Sequence, residues 1–254
     1  MVLPLYQRIV PLILVLFFIL NHQKGYSQKA KSNSIEINFS NYVGNEVLKL
    51  DSVIYKNASN QEFSVTKFKY YIANIALWRK DGKQVTWKNY YLIDEEKPDS
   101  KKFVLENIPG GEYVAVNFTI GVDSIDNCSG AQSGALDPIN GMFWAWNTGY
   151  IFMKLEGTSE FSTSPNAMLE YHIGGFKKPN NCIRTISLPL KKSILITNNN
   201  NEIIDIKTDI LEILKTPVNI DFSVLSSVTD FNNATTLADN YSDMFSILNL
   251  KDEK

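Results

Sequence analysis

The segment SIEINFS (34–40) alternates apolar and polar positions with period two, which predicts a strand with one buried face. The same pattern returns along most of the chain. EFSVTKFKYYIANIALWRKDGKQVTW is rich in aromatic and β-branched residues. It predicts a long strand from Phe63 to about Arg79, a turn at Asp81-Gly82 and a return strand. KKFVLENIPGGEYVAVNFTIGVD predicts a short strand, a turn at Pro109-Gly110-Gly111, and a strong strand from Tyr113 to Val122. Further strands are expected at Gly149–Leu155, Met168–Ile173 and Ile183–Leu190. SILITNNNNEIIDIKTDI reads as another hairpin, with an Asn-rich turn at Asn198–Asn201.

Two segments break the pattern. Residues 123–141, DSIDNCSGAQSGALDPING, collect small and turn-forming residues and read as a loop. NNATTLADNYSDMF places Leu237, Tyr241, Met244 and Phe245 at spacings of four and three, the signature of one short amphipathic helix. Strand following strand, without alternating helices, predicts an all-β fold: an antiparallel two-sheet β-sandwich with a short C-terminal helix.

The first residues change the picture of where such a domain works. Arg8 precedes an apolar run of 12 residues from Ile9 to Leu20, and Gly25, Tyr26 and Ser27 follow near a cleavage point before Gln28. This is the layout of a secretory signal peptide over 1–27. The run falls short of the roughly 20 residues of a membrane span, so no stable membrane anchor is expected. Residues 28–254 then form one exported domain with its core at about 35–245, expected in the periplasm. Loss of Arg8 and Lys24 with the leader takes the formal charge from −2 to −4. A mildly acidic chain without a basic cluster has no electrostatic reason to bind nucleic acid.

The available chemistry is sparse. The exported part holds a single histidine, His172, and no Gly-X-Ser-X-Gly elbow, HExxH, P-loop or dinucleotide fingerprint. No catalytic constellation is visible, and an enzyme is not expected. Asp123, Asp126 and Asp137 lie among glycines, but their spacing is not that of an EF-hand, and ordinary loop roles explain them better. His172 lies in LEYHIGGF, where alternation sets Leu169, Tyr171 and Ile173 on one face and Glu170 and His172 on the other. The pair Gly174-Gly175 permits a sharp turn or the close approach of another group. In NGMFWAWNTGYIFMKLEG, Trp144 and Trp146 would share one side of a strand. They are either a packing cluster or a site that uses an oxidisable indole, with Met142 offering a thioether to copper(I).

Both cysteines, Cys128 and Cys182, lie in the exported part. In an oxidising compartment they are most simply one disulfide, worth roughly 3–5 kcal/mol by loop entropy; two free thiols holding a soft metal are the alternative.

Taken together, VTKFKYYIANIAL (65–77), IPGGEYVAVNFTIGVDS (108–124), SGAQSGALDPINGMFWAWNTGYIFMKLEG (129–157), EYHIGGF (170–176) and ADNYSDMF (238–245) resemble the MbnP-like family of exported copper-binding proteins. The resemblance covers about Ile35 to Phe245. It implies a β-rich periplasmic protein modified by a partner of the MauG type, a diheme cytochrome c peroxidase relative that oxidises a tryptophan to kynurenine. The product would bind copper beside histidine. Carried onto this chain, the indole candidates are Trp144 and Trp146, the histidine candidate is His172, and Met142 is a further donor. Where relatives carry an early histidine, this chain has Ser40 and Asn41, and the two cysteines are not part of the family pattern. A copper-handling protein is therefore one expectation. A secreted sandwich that binds a ligand or protein without metal is the other, since a single histidine makes a thin metal site.

Overall fold

The computed structural model describes residues 33–144, 149–197 and 201–248. The leader expected at 1–27, Trp146 and most of the Asn-rich turn lie outside the described residues. In chain order the strands are β1 (Ser34–Val43), β2 (Glu46–Val47), β3 (Tyr55–Lys56), β4 (Glu62–Arg79), β5 (Gln84–Asp94), β6 (Lys102–Glu106) and β7 (Gly111–Ile120). They continue with β8 (Ile151–Thr158), β9 (Met168–Gly174), β10 (Arg184–Ile196), β11 (Asn201–Asp209), β12 (Ser227–Val228) and β13 (Phe245–Ile247). The helices are α1 (Ser124–Cys128), α2 (Ile210–Ile213) and α3 (Ala234–Tyr241).

The strands form two sheets. In the smaller, β1 pairs with β11 on one side and with β2 and β6 on the other, and β13 extends the edge beyond β11. In the larger, the order is β10-β7-β4-β8-β9-β12, with β3 and β5 also on β4. The long β4 serves three major partners along its length: β8 pairs with residues 64–70, β7 with 72–79 and β5 with 69–78. Asn74 takes a left-handed φ of 49° where the ladder to β5 slips between Ala73 and Ile75. Such a bulge re-aims a strand without ending it.

The sheets close on each other through rings. Phe39 of β1 and Phe245 of β13 meet Tyr70 of β4 and Phe118 of β7 edge-on, with centroids 5.0 to 6.2 Å apart. Edge-to-face contact is the arrangement that ring quadrupoles favour. The Tyr70 hydroxyl would be costly in this apolar layer, but it lies within hydrogen-bonding distance of Asn41 Oδ1 (3.0 Å) and Thr208 Oγ1 (2.8 Å). Asn41 itself donates to Glu95 at 2.8 Å. Asn41 is thus buried in a satisfied polar network.

The expected sandwich is present, with three corrections. Its sheets are mixed: β1 runs parallel to β11 and β9 parallel to β12. The segment read as a hairpin around Asn198–Asn201 crosses between the sheets, since β10 pairs with β7 and β11 with β1. Local alternation is the same for a hairpin and for two strands that find separate partners. The helix ends at Tyr241, and Phe245 starts β13 against Thr208. Met244 and Phe245 are buried at helix-like spacing, but through the turn and strand that follow. Among the described residues, no helix is long and apolar enough to cross a membrane.

Candidate functional site

The site lies on the outer face of β8 and β9. Register places Lys154 opposite His172, and Glu156 opposite Glu170. On the other side of β8, β4 sets Lys67 against Glu156 and Lys69 against Lys154. Sequence spacing alone could not bring these six polar side chains from three strands together. His172 Nε2 is 2.8 Å from Glu156 Oε1, and Lys67 donates to Glu156 Oε2 at 2.9 Å. The His172 hydrogen bond and the Lys67 ammonium hold the Glu156 carboxyl down at about 2, against the opposing effect of burial. Lys154 lies 3.8 Å from Glu156, and burial pushes its ammonium pKa down. His172 and Glu156 are each about one-sixth exposed, at 17% and 16%.

The loop before β8 is tied to this sheet. Lys154 donates to the Gly141 carbonyl at 2.6 Å. Tyr71 of β4 donates to Ala135 O at 3.0 Å and Tyr150, just before β8, to Leu136 O at 2.9 Å, so both satisfy their hydroxyls on the loop backbone. Asp123 caps α1 through Ile125 N and Asp126 N, Asp137 accepts from Ile139 N, and Asp126 accepts from Tyr90. These acids have the ordinary loop roles expected of them.

Trp144 arrives on a short antiparallel pairing. Trp144 N donates to Gly149 O, Ile151 N donates to Met142 O, and Phe143 bridges Tyr150. The indole then packs on the His172 strand. A Cβ placed on Gly174 would lie 2.7 Å from Trp144 Cη2 and 2.5 Å from Tyr150 O, so only glycine admits this contact. Gly174 is two residues beyond His172 and therefore on the same sheet face. Gly175 has φ of 117° and a Cβ there would meet Asn180 O at 2.3 Å, so the second glycine makes the turn. On its other flank Trp144 meets Phe231 edge-on at 5.6 Å. The structure thus joins Trp144 to the HIGG strand, while Met142 is fully buried in the core.

The expected disulfide is absent. Both cysteines are free: Cys128 is exposed at the end of α1, and Cys182 is buried after the Gly175 turn. Cys182 N donates to Gly175 O, its thiol faces Asn180 O at 3.7 Å, and its carbonyl accepts from Tyr241. Those bonds hold it in the core. Burial pushes its thiol up to about 12, which keeps it protonated and a poor metal ligand.

Sequence reading missed Glu156, Lys67, Lys154 and Phe231. The alternation of Lys154 and Glu156 in FMKLEG was a signal that they share a face, but nothing announced that β9 would bring His172 to them.

The MbnP family model matches residues 32–234. Among solved structures, MbnP from Methylosinus trichosporium is similar with a TM-score of 0.50 at 12% identity, over 75% of this chain and 80% of that one. At that identity the likeness concerns the fold alone. No curated protein matches the chain in sequence.

Proposed function

The chain belongs to the MbnP family, and on that premise we propose an exported copper-handling protein that is not itself a catalyst. His172 supplies an imidazole donor, and Trp144 or Trp146 is the indole that a partner diheme enzyme oxidises to kynurenine. The observation that carries this reading is the contact of Trp144 with Gly174, which sets an oxidisable ring on the face of β9 that bears His172.

The donor chemistry supports part of a copper site. With Nε2 engaged by Glu156, Nδ1 is the ring nitrogen open to a metal. A carboxylate behind a ligating histidine fixes its tautomer and raises its basicity. Imidazole and carboxylate suit copper(II); the Met142 thioether, buried in the core, would have to leave it before it could serve copper(I). Among the described residues, no cluster of three or more His, Cys, Asp and Glu is placed to hold a metal. The remaining donor in this reading is the amine exposed when an indole is opened to kynurenine.

Two measurements on protein recovered from its native host test the reading. Peptide mapping of residues 140–157 is expected to show the mass of kynurenine at Trp144 or Trp146. Equilibrium dialysis against copper is expected to show one bound ion that His172→Ala loses. Unmodified indoles together with no retained copper would sink the proposal.

A further inference from the structure

A cavity of about 500 Å³ opens beside Trp144, without His172 in its lining. Its apolar walls are the rings of Trp144, Tyr150, Phe176 and Phe231. Backbone at Gly130, Gly149 and Gly175 forms much of the remainder, so no side chain from those positions fills the space. Lys177 and Lys178 complete the rim and are both exposed, with the Lys177 ammonium 5.1 Å from the centre of the Phe176 ring. Among the described residues, no carboxylate lines the cavity. Residues 145–148, which join Trp144 to Gly149, are Ala-Trp-Asn-Thr and carry no ionisable group.

This combination selects a ligand class. The volume lies in the range of small-molecule sites, roughly 300–1,000 Å³. Aromatic walls favour a flat apolar body. Two ammonium groups with no opposing carboxylate in the lining repel cations and favour an anionic head, which they can reach on flexible stems. We propose that the cavity binds a small organic anion with an aromatic body, its charge held by Lys177 and Lys178 and its ring against Trp144 and Phe231. The inference shares Trp144 with the copper reading but needs no metal, since neither His172 nor Glu156 takes part.

Cys128 also lines the cavity and is exposed, so its thiol reports occupancy, and buried Cys182 serves as the internal control. The full exported chain is titrated with anilinonaphthalene sulfonate and with its uncharged relative phenylnaphthylamine, while iodoacetamide alkylation of each cysteine is followed by mass spectrometry. The expected result is saturable binding of the sulfonate that shields Cys128, with the uncharged probe about tenfold weaker, as loss of a charge-assisted contact implies. Lys177→Ala with Lys178→Ala is expected to erase that tenfold preference while the near-ultraviolet circular dichroism stays native. Failure of the sulfonate to protect Cys128 would overturn the proposal. So would equal affinity for the two probes on the unaltered chain, or a charge preference that survives in the folded double variant.

Discussion

Strands β8 and β9 have two faces that follow different rules. Inward, Leu155, Tyr171 and Ile173 are buried in one continuous core. Outward, Lys154, Glu156, Glu170 and His172 remain partly exposed, and Glu156 pairs with His172, Lys67 and Lys154. The inner face is held by loss of apolar surface from water, a non-directional effect worth about 1.5–3 kcal/mol for each large side chain. The outer face is held by directional pairs near solvent, which contribute little to stability but set protonation and ligand geometry. The same backbone therefore stabilises the fold on one side and is free to carry chemistry on the other.

Adjacent substitutions can break this division. Ile173→Ala is expected to have the largest effect, about 3 kcal/mol of lost stability from the transfer and cavity terms, read by urea denaturation. A loss below about 1 kcal/mol would mean that the inner face is not packed as described. Gly174→Ala lies on the outer face yet is expected to cost about 2 kcal/mol by overpacking, because its methyl would meet Trp144 and Tyr150 O. It should also shift tryptophan fluorescence. A neutral outcome would remove the Trp144–Gly174 contact from the site.

The third test sharpens the outer face. The Glu156 carboxyl is held at about 2 in the folded state, below its ordinary value of 4.5. Its contribution is therefore fully present above pH 4.5 and is lost as pH falls towards 2. His172→Ala removes the first cause of that depression. It should flatten the fall in stability across this window, and a two-dimensional NMR titration should show the Glu156 carboxyl moving up towards 4.5. An unchanged Glu156 titration would show that Lys67 alone holds it. The smallest effect concerns the cysteines. Thiol titration is expected to find one reactive group in the native protein, Cys128, and both in denaturant, with no change in either count after prior reduction.

Much of the fold was legible because burial writes itself locally. Alternation marked β1, β4, β7, β8 and β9 to within a few residues, and it correctly set His172 opposite to Tyr171 and Ile173. The Gly174-Gly175 pair signalled the close approach that Trp144 makes. The false hairpin at β10–β11 shows the limit of the same signal. Alternation says that a strand has an inner face, not which strand lies beside it. The cysteine pairing failed for a related reason: compartment and spacing bear on whether a disulfide is favourable, whereas its existence needs two sulfurs turned towards each other.

By itself, the order of residues determined an all-β chain, the two faces of its strands, the small-residue loop at 123–141 and the isolation of one histidine beyond residue 27. These follow from side-chain periodicity and composition, which are properties of neighbours in the chain. Only the tertiary structure decided that Lys67, Lys154 and Glu156 surround His172, that Trp144 rests on Gly174 beside Phe231, and that Cys128 and Cys182 stay apart. Those are contacts across many residues. They depend on strand register and sheet order, which are set when the whole apolar surface finds its cover at once.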